Sequence, residues 1–164
     1  LVLAYLAGIG AIARAEKAGI PCVTIVRKEA GFEEGVLSAF REHGIDMAVL
    51  AGFLGIFSAD FIRRFSGPII NIHPALIPSF CGKGFYGLRV HQAALDYGVK
   101  VTGATVHYAS EVVDGGEIIL QKAVDVLPGD TPEILQKRVM EQAEWVILPQ
   151  AAELVAARIV REKE

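Results

Sequence analysis

Hydrophobic and polar positions follow two alternating periodicities along this chain, and the switches between them predict an ordered series of strands and helices. Short apolar or β-branched runs predict strands, and apolar residues spaced three or four apart predict amphipathic helices. Strands are predicted at 1–4, 22–26, 47–50, 69–70, 101–108 and 118–126, and helices at 8–18, 32–43, 58–65, 88–97 and from 131 onward. Alternating strands and helices predict parallel strands joined by right-handed crossovers.

The pattern changes after residue 100. Two extended runs, Val101–Tyr108 and Ile118–Val126, are separated by the turn signal Asp114-Gly115-Gly116. A glycine-rich connection between two such runs predicts an antiparallel pair at the sheet edge. The predicted fold is therefore α/β, a mostly parallel open sheet with helices on both faces and an antiparallel C-terminal strand pair.

The last helical region has a clear predicted start. Thr131-Pro132-Glu133 combines a capping hydroxyl, a proline in the first turn and an acid at the positive end of the helix dipole. Pro149 is expected to kink this helix or to begin another. The residues predicted to form its buried stripe are Leu135, Val139, Ala143 and Ile147.

Composition limits the classes of function. The 164 residues are 52% hydrophobic and 21% charged, which suits one domain spanning 1–164. A net charge of −3 without a basic stripe argues against a nucleic-acid partner. No apolar run approaches the roughly 20 residues of a membrane span. Cys22 and Cys81 match no metal or redox spacing, so we expect reduced thiols and a cytoplasmic location.

The strongest candidate for chemistry is the segment Asn71–Pro78, which follows an apolar run. Residues i and i+2 of a strand share a face, so Asn71 and His73 point the same way at a strand end. An asparagine N–H can stabilise a developing oxyanion, and a neutral imidazole can donate or accept a proton. Asp114 alone would be a turn residue, but beside His73 it would be a proton acceptor or an orienting carboxylate.

Other candidates are weaker. Thr105 and His107 share a strand face, where Thr105 could hold a water and His107 could pack or act near the site. His91 is expected to be structural. The Cys81–Gly87 loop, which carries one lysine, is either a substrate contact or a surface loop. Gly8–Ala13 fits a loose dinucleotide pattern, but helix packing explains it better. The histidines lack zinc-ligand spacing, so no metal is expected.

Four motifs in unbroken order are recognisable together. They are Ala51–Leu54, Asn71–Pro78, Gly103–Tyr108 and Val113–Gln121. Over residues 1 to about 155 the chain resembles the folate-dependent formyltransferases, and most closely the branch that acts on glycinamide ribonucleotide. The resemblance implies a Rossmann-like formyltransferase fold. It also implies transfer of a formyl group from 10-formyltetrahydrofolate to the amine of glycinamide ribonucleotide in purine biosynthesis, without a metal.

The resemblance also implies roles for individual residues. Asn71, His73 and Asp114 would form the catalytic set, assisted by a water held by Thr105. Glu144 would contact the ribose hydroxyls, with Thr105 and His107 on the substrate side. The residues implied to bind the folate are Leu54, Gly55, Ile56 and Phe57 in one segment and Ala109, Ser110, Glu111, Val112 and Val113 in a second.

Two departures from the family keep alternatives open. The family carries an N-terminal strand and a Gly-x-Gly-Ser-Asn phosphate loop that this sequence lacks, so we expect an N-terminal part of the usual domain to be missing here. Gly55 stands where some relatives have arginine. The alternatives are a formyltetrahydrofolate hydrolase, a methionyl-tRNA formyltransferase or a degenerate non-catalytic binding domain. A monomer or a homodimer is expected.

Overall fold

The computed structural model describes residues 1–28 and 30–164. Its strands are β1 (Val2–Ala4), β2 (Cys22–Thr24), β3 (Ala48–Leu50), β4 (Ile69–His73), β5 (Val101–Tyr108) and β6 (Ile118–Asp125). Its helices are α1 (Gly10–Lys17), α2 (Phe32–Glu42), α3 (Ala59–Arg64), α4 (Leu88–Tyr97), α5 (Pro132–Val139) and α6 (Trp145–Lys163). A π-helical turn, Met140–Glu144, joins α5 to α6. Each strand and helix expected from the sequence is present.

The described strands form two hydrogen-bonded sheets. β1 pairs with β2 in parallel, and the larger sheet has the order β3-β4-β5-β6. Strands β3 and β4 are parallel, whereas β5 is antiparallel to both β4 and β6. The α/β class and the antiparallel C-terminal pair are confirmed, and the sheet is more mixed than expected.

The antiparallel pairing of β4 with β5 differs from the expected parallel crossover. Helix α4 lies between these strands in the chain, as a crossover helix would. However, the long segment 74–87 comes before α4, and it allows the chain to return so that β5 begins at the end where β4 stops. Asn71 therefore pairs with His107 and His73 with Thr105 across the two strands.

The two faces of β4 and β5 differ in chemistry. Side chains alternate between the faces of a strand. Ile70, Ile72, Ala104 and Val106 belong to a buried apolar cluster that also contains residues of α5, the π-turn and α6. The predicted stripe, Leu135, Val139, Ala143 and Ile147, is buried in this cluster, which confirms the helical prediction. The side chains on the opposite face are polar: Asn71, His73, Thr105 and His107.

The irregularity in the C-terminal helical region lies upstream of Pro149. Pro149 is contained within α6, and the helix is interrupted instead by the π-turn. A proline ring crowds the carbonyl four residues earlier, which here belongs to Trp145, the first residue of α6. A π-turn placed just before that carbonyl gives the helix an alternative hydrogen-bond pattern there.

A second apolar cluster lies on the side of β3. Its buried members come from α2, α3 and the neighbouring strands and include Val36, Phe61 and Ile69. Ser58 caps α3, since its hydroxyl accepts a hydrogen bond from the N–H of Phe61. Within residues 1–28 and 30–164, no helix is both long enough and apolar enough to cross a membrane.

Candidate active site

The site begins with the polar face of β4 and β5. Asn71 and His73 point to one side of β4, and the antiparallel register sets His107 and Thr105 directly opposite them. Such facing side chains on neighbouring strands have Cβ atoms only about 5 Å apart. His73, Thr105 and His107 are all buried. The sheet therefore gathers one carboxamide and two imidazoles at the end of β4.

Asp114 joins this group from the turn between β5 and β6. One carboxylate oxygen lies 3.7 Å from His73 Nδ1, and the other lies 3.6 Å from His107 Nε2. The Gly82 N–H donates a hydrogen bond of 2.7 Å to the same carboxylate. Asp114 has a φ of 54°, a left-handed conformation that aspartate tolerates better than most residues. The structure thus brings Asp114 to His73, as the chemistry requires.

The hydrogen bonds of His73 define which of its nitrogens carries the proton. Nε2 lies 2.9 Å from the carbonyl oxygen of Phe80. A carbonyl only accepts hydrogen bonds, so Nε2 must be the nitrogen that carries hydrogen. In the neutral ring Nδ1 is then a bare acceptor facing Asp114. A proton added at Nδ1 would lie between the imidazole and the carboxylate, so His73 is arranged as a base at Nδ1.

The Asp114 carboxyl is held in its charged form. Burial raises its pKa, but the His107 imidazole, the Gly82 N–H and the nearby His73 outweigh burial. The pKa therefore lies below its usual value, and Asp114 is a carboxylate near neutral pH. The carboxylate therefore presents a negative charge to His73 Nδ1.

Thr105 has a different environment from the one expected. Its hydroxyl donates to the Ala75 carbonyl at 2.7 Å and accepts from the Ile77 N–H at 3.1 Å and from Gln121 Nε2 at 2.9 Å. A hydroxyl has one donor and two acceptor positions, so all three are filled by protein groups. Thr105 consequently has no position left for a water or a substrate, and it instead anchors the segment after His73.

The first expected folate segment, residues 54–57, follows β3 at the same sheet edge as His73. Leu54 and Ile56 are exposed by 59% and 65%, which leaves apolar surface open beside the site. Phe57 stacks between Phe53 and Phe61, with ring centroids 4.7 and 3.9 Å away. An added Cβ at Gly55 would lie 2.4 Å from the Phe53 ring, so Phe53 would have to shift to admit a side chain there.

The second expected folate segment, residues 109–113, lies against the first. Ala109 and Phe57 pack against the same apolar cluster. Arg63 of α3 donates a hydrogen bond of 2.8 Å to Glu111, which ties the loop to the helix that follows residues 54–57. Val112 is 67% exposed. Both segments therefore carry exposed apolar side chains, and the second leads directly into Asp114.

Glu144 is the last residue of the π-turn and is half-buried. Burial raises the pKa of its carboxyl above the usual value. The π-turn packs against β5 and β6. Short π-helical segments are frequent at functional sites, and a half-buried carboxylate suits recognition of hydroxyl groups.

Several contributors to the site were not predicted from the sequence. The Phe80 carbonyl and the Gly82 N–H are backbone groups, which almost every residue type possesses. Gln121 was overlooked, although it donates to Ile77 O at 3.0 Å as well as to Thr105. The glycine-rich loop 81–87 therefore supports Asp114 through Gly82, while Lys83 is exposed. Among the described residues, no three metal-ligating side chains cluster.

Comparison with known families adds to this geometry. A family model described as formyl transferase matches residues 1–152. The chain therefore belongs to the formyl transferase family.

Individual relatives carry more specific names. The trifunctional purine biosynthetic protein adenosine-3 of Bos taurus is 44% identical over 165 residues, which is 98% of this chain and 16% of that protein. The chloroplastic phosphoribosylglycinamide formyltransferase of Arabidopsis thaliana is 39% identical over 129 residues, covering 76% of this chain and 44% of that protein. The chain thus spans well under two thirds of the length of these relatives.

Solved structures of similar proteins share the fold. Phosphoribosylglycinamide formyltransferase from Anaplasma phagocytophilum superimposes with a TM-score of 0.87 at 37% identity, covering 96% of this chain and 74% of that one. The Brucella melitensis phosphoribosylglycinamide formyltransferase gives a TM-score of 0.84 at 41% identity, covering 95% and 79%.

Proposed function

We propose that this chain transfers the formyl group of 10-formyltetrahydrofolate to the amine of glycinamide ribonucleotide, a step of purine biosynthesis. The observation that carries the proposal is the convergence of Asn71, His73 and Asp114 on one site. Membership of the formyl transferase family supports the reaction type. The names of the relatives support the choice of acceptor.

The chemistry of formyl transfer matches these three groups. The amine nitrogen attacks the formyl carbon, and the carbonyl electron pair moves to oxygen. A carboxamide N–H from Asn71 can donate to that oxyanion without a change of charge on the protein. One such preorganised donor is typically worth about 100- to 1000-fold in kcat.

His73 and Asp114 account for the proton movement. The attacking amine becomes an ammonium in the tetrahedral intermediate and must lose a proton. His73 accepts it at Nδ1, the nitrogen that faces Asp114, and the carboxylate stabilises the resulting imidazolium. The oxyanion electron pair then re-forms the carbonyl as the bond from carbon to N10 of the folate breaks. The electron pair of that bond stays on N10, and the protonated His73 gives a proton to that nitrogen.

The proposed binding regions surround this centre. The pteridine would bind between residues 54–57 and 109–113. Glu144 would accept hydrogen bonds from the ribose hydroxyls of the nucleotide. His107 is also part of the site, on the same strand face as Asn71 and His73.

The direct test is an activity assay with the purified full chain and 10-formyltetrahydrofolate. We expect formylation of glycinamide ribonucleotide that depends on both substrates. Water alone and methionyl-tRNA are the matched alternative acceptors. Formate release without an amine acceptor would indicate a hydrolase, formylation of methionyl-tRNA would indicate the tRNA enzyme, and folate binding without any transfer would indicate a non-catalytic domain.

A folate analogue should protect two segments from hydrogen exchange. We expect slower exchange at residues 52–57 and 107–114, because the pteridine would exclude water from both segments. Within the described chain, the N–H groups of residues 54–57 form no backbone hydrogen bond, so their free exchange should be fast and protection easy to detect. Hydrogen-exchange mass spectrometry with the analogue makes the measurement.

The control ligand for this experiment is p-aminobenzoylglutamate, which lacks the pteridine. It should leave residues 52–57 exchanging as in the free protein. Equal protection by both ligands, or protection confined to other segments, would contradict the proposed pteridine position.

A further inference from the structure

The side chain of His107 has a defined tautomer. Its Nδ1 lies 2.9 Å from the Tyr108 carbonyl oxygen. Because that oxygen can only accept, the hydrogen must be on Nδ1. In the neutral ring Nε2 is therefore an acceptor. His107 is 2% exposed, so water does not compete freely for either nitrogen.

The acceptor nitrogen of His107 faces two groups: the Asn71 carboxamide and, at 3.6 Å and thus beyond hydrogen-bond distance, one oxygen of the Asp114 carboxylate. Asn71 Nδ2 lies 3.2 Å from His107 Nε2, and the carboxamide nitrogen is the donor of this pair. A half-turn of the carboxamide would set its oxygen against the lone pair of Nε2, which is repulsive. His107 thereby selects one of the two orientations of the Asn71 carboxamide and leaves its second N–H in a fixed direction.

The backbone holds the Tyr108 carbonyl in place. The Tyr108 N–H donates to the Glu117 carbonyl at 2.9 Å. An added Cβ at Gly116 would lie 1.8 Å from the Tyr108 oxygen, so only glycine fits there. The register of β5 and β6 also shifts between Val106 and His107. The Asp114-Gly115-Gly116 turn therefore positions Asp114 and, through Tyr108, sets the tautomer of His107.

We propose that His107 is a positioning residue that orients the Asn71 carboxamide toward the developing oxyanion. This inference rests on the proposed formyl transfer and replaces the expectation that His107 contacts the substrate. Its route to the reaction is the hydrogen bond from Asn71 to Nε2. The hydrogen on Nδ1 serves only to keep Nε2 free to accept.

The test compares three variants of the full chain. His107→Leu removes the acceptor, His107→Gln carries an amide oxygen about as far from the backbone as Nε2, and His107→Asn is too short to reach Asn71. We expect His107→Leu and His107→Asn to lower kcat about 10- to 100-fold, part of the value of an oxyanion donor. His107→Gln should recover most of that loss. KM for both substrates should stay within about threefold, since no substrate contact is removed.

A double-mutant cycle separates orientation from a general structural effect. In an Asn71→Ala background, His107→Leu should cost less than about threefold, because no carboxamide remains to be oriented. An undiminished loss in that background would overturn the proposal, as would a raised KM with normal kcat. Should His107→Leu fail to fold, the shorter polar variant His107→Asn supplies the same comparison.

The proposed role of His107 can be refuted separately from the proposed function. Imidazole ¹⁵N chemical shifts identify the tautomer of His107 without any substrate, and we expect hydrogen on Nδ1. The opposite tautomer would overturn the inference even in an active enzyme. A wild-type protein that does not transfer formyl groups would refute the proposed function and, with it, the role of His107 in that reaction.

Discussion

Replacing His73 with alanine is expected to lower kcat for formyl transfer at least ~100-fold, the usual scale for a general acid–base group. The imidazole is the group whose free nitrogen faces the buried carboxylate, at 3.7 Å. Alanine leaves Asp114 with its Gly82 hydrogen bond but removes the acceptor for the ammonium proton. Steady-state assays with both substrates at saturation measure the effect.

His43→Ala is the matched control for this experiment. His43 lies at the end of α2, where its Nδ1 bonds the Ala39 carbonyl at 2.9 Å, and among the described residues none of its side-chain hydrogen bonds involves the site. Its replacement should leave kcat within about twofold of wild type. Near-normal turnover of the His73→Ala protein would remove His73 from the mechanism.

The tautomer adds a second expectation for His73. Because Nε2 donates to the Phe80 carbonyl, a side chain that restores only this donor should not restore catalysis. His73→Gln, which offers an amide N–H in place of Nε2–H, is therefore expected to be as inactive as His73→Ala. Substantial activity in His73→Gln would show that hydrogen bonding alone suffices and that proton transfer uses another group.

The fold was predictable where periodicity and caps agree. The helix over Leu88–Tyr97 has a clear apolar spacing and ends at Gly98, and it was predicted with its observed bounds. The stripe from Leu135 to Ile147 was predicted because one helical face repeats over several turns. The pairing of β4 with β5 was not, since strand direction depends on the path of residues 74–87, which has no periodic signal.

The side chains of the site were predictable from the sequence, but the turn and the backbone groups that hold them in place were not. Asn71 and His73 share a face because of the two-residue repeat of any strand, which needs no tertiary information. The contact of Asp114 with His73 depends on how residues 109–117 turn, so spacing alone left it open. The hydrogen bonds of Thr105 could not be foreseen, because they end on backbone atoms of Ala75 and Ile77 that carry no sequence signature.

The sequence predicted that His91 is structural, but it did not predict how burial affects the protonation of its ring. A histidine on a helix was expected to be structural, and it is buried, with 1% of its surface exposed. Within the described chain, however, neither ring nitrogen has a hydrogen-bond partner. Burial, together with the nearby His73, lowers the pKa of His91 to about 4. The ring is therefore neutral inside the folded protein.

This neutral ring should make the folded state less stable in acid. An unfolded chain binds a proton at His91 below about pH 6.5, whereas the folded protein does so only near pH 4. Between these values the unfolded state holds more protons, so the free energy of unfolding falls as the pH falls. At about 1.36 kcal/mol per pH unit the full loss is about 3 kcal/mol, of which about 2 kcal/mol should appear between pH 7 and pH 5.

His91→Leu, which has a similar volume and no ionisable group, isolates this contribution. Urea unfolding curves of both proteins at pH 7 and pH 5 should show that the variant loses about 2 kcal/mol less stability than wild type over that interval. Taking the difference between the two proteins cancels the carboxyl groups, Asp114 and Asp130 included, which titrate in both. An equal loss in the two proteins would mean that His91 is protonated in the folded state, and that a buried partner stabilises its charge.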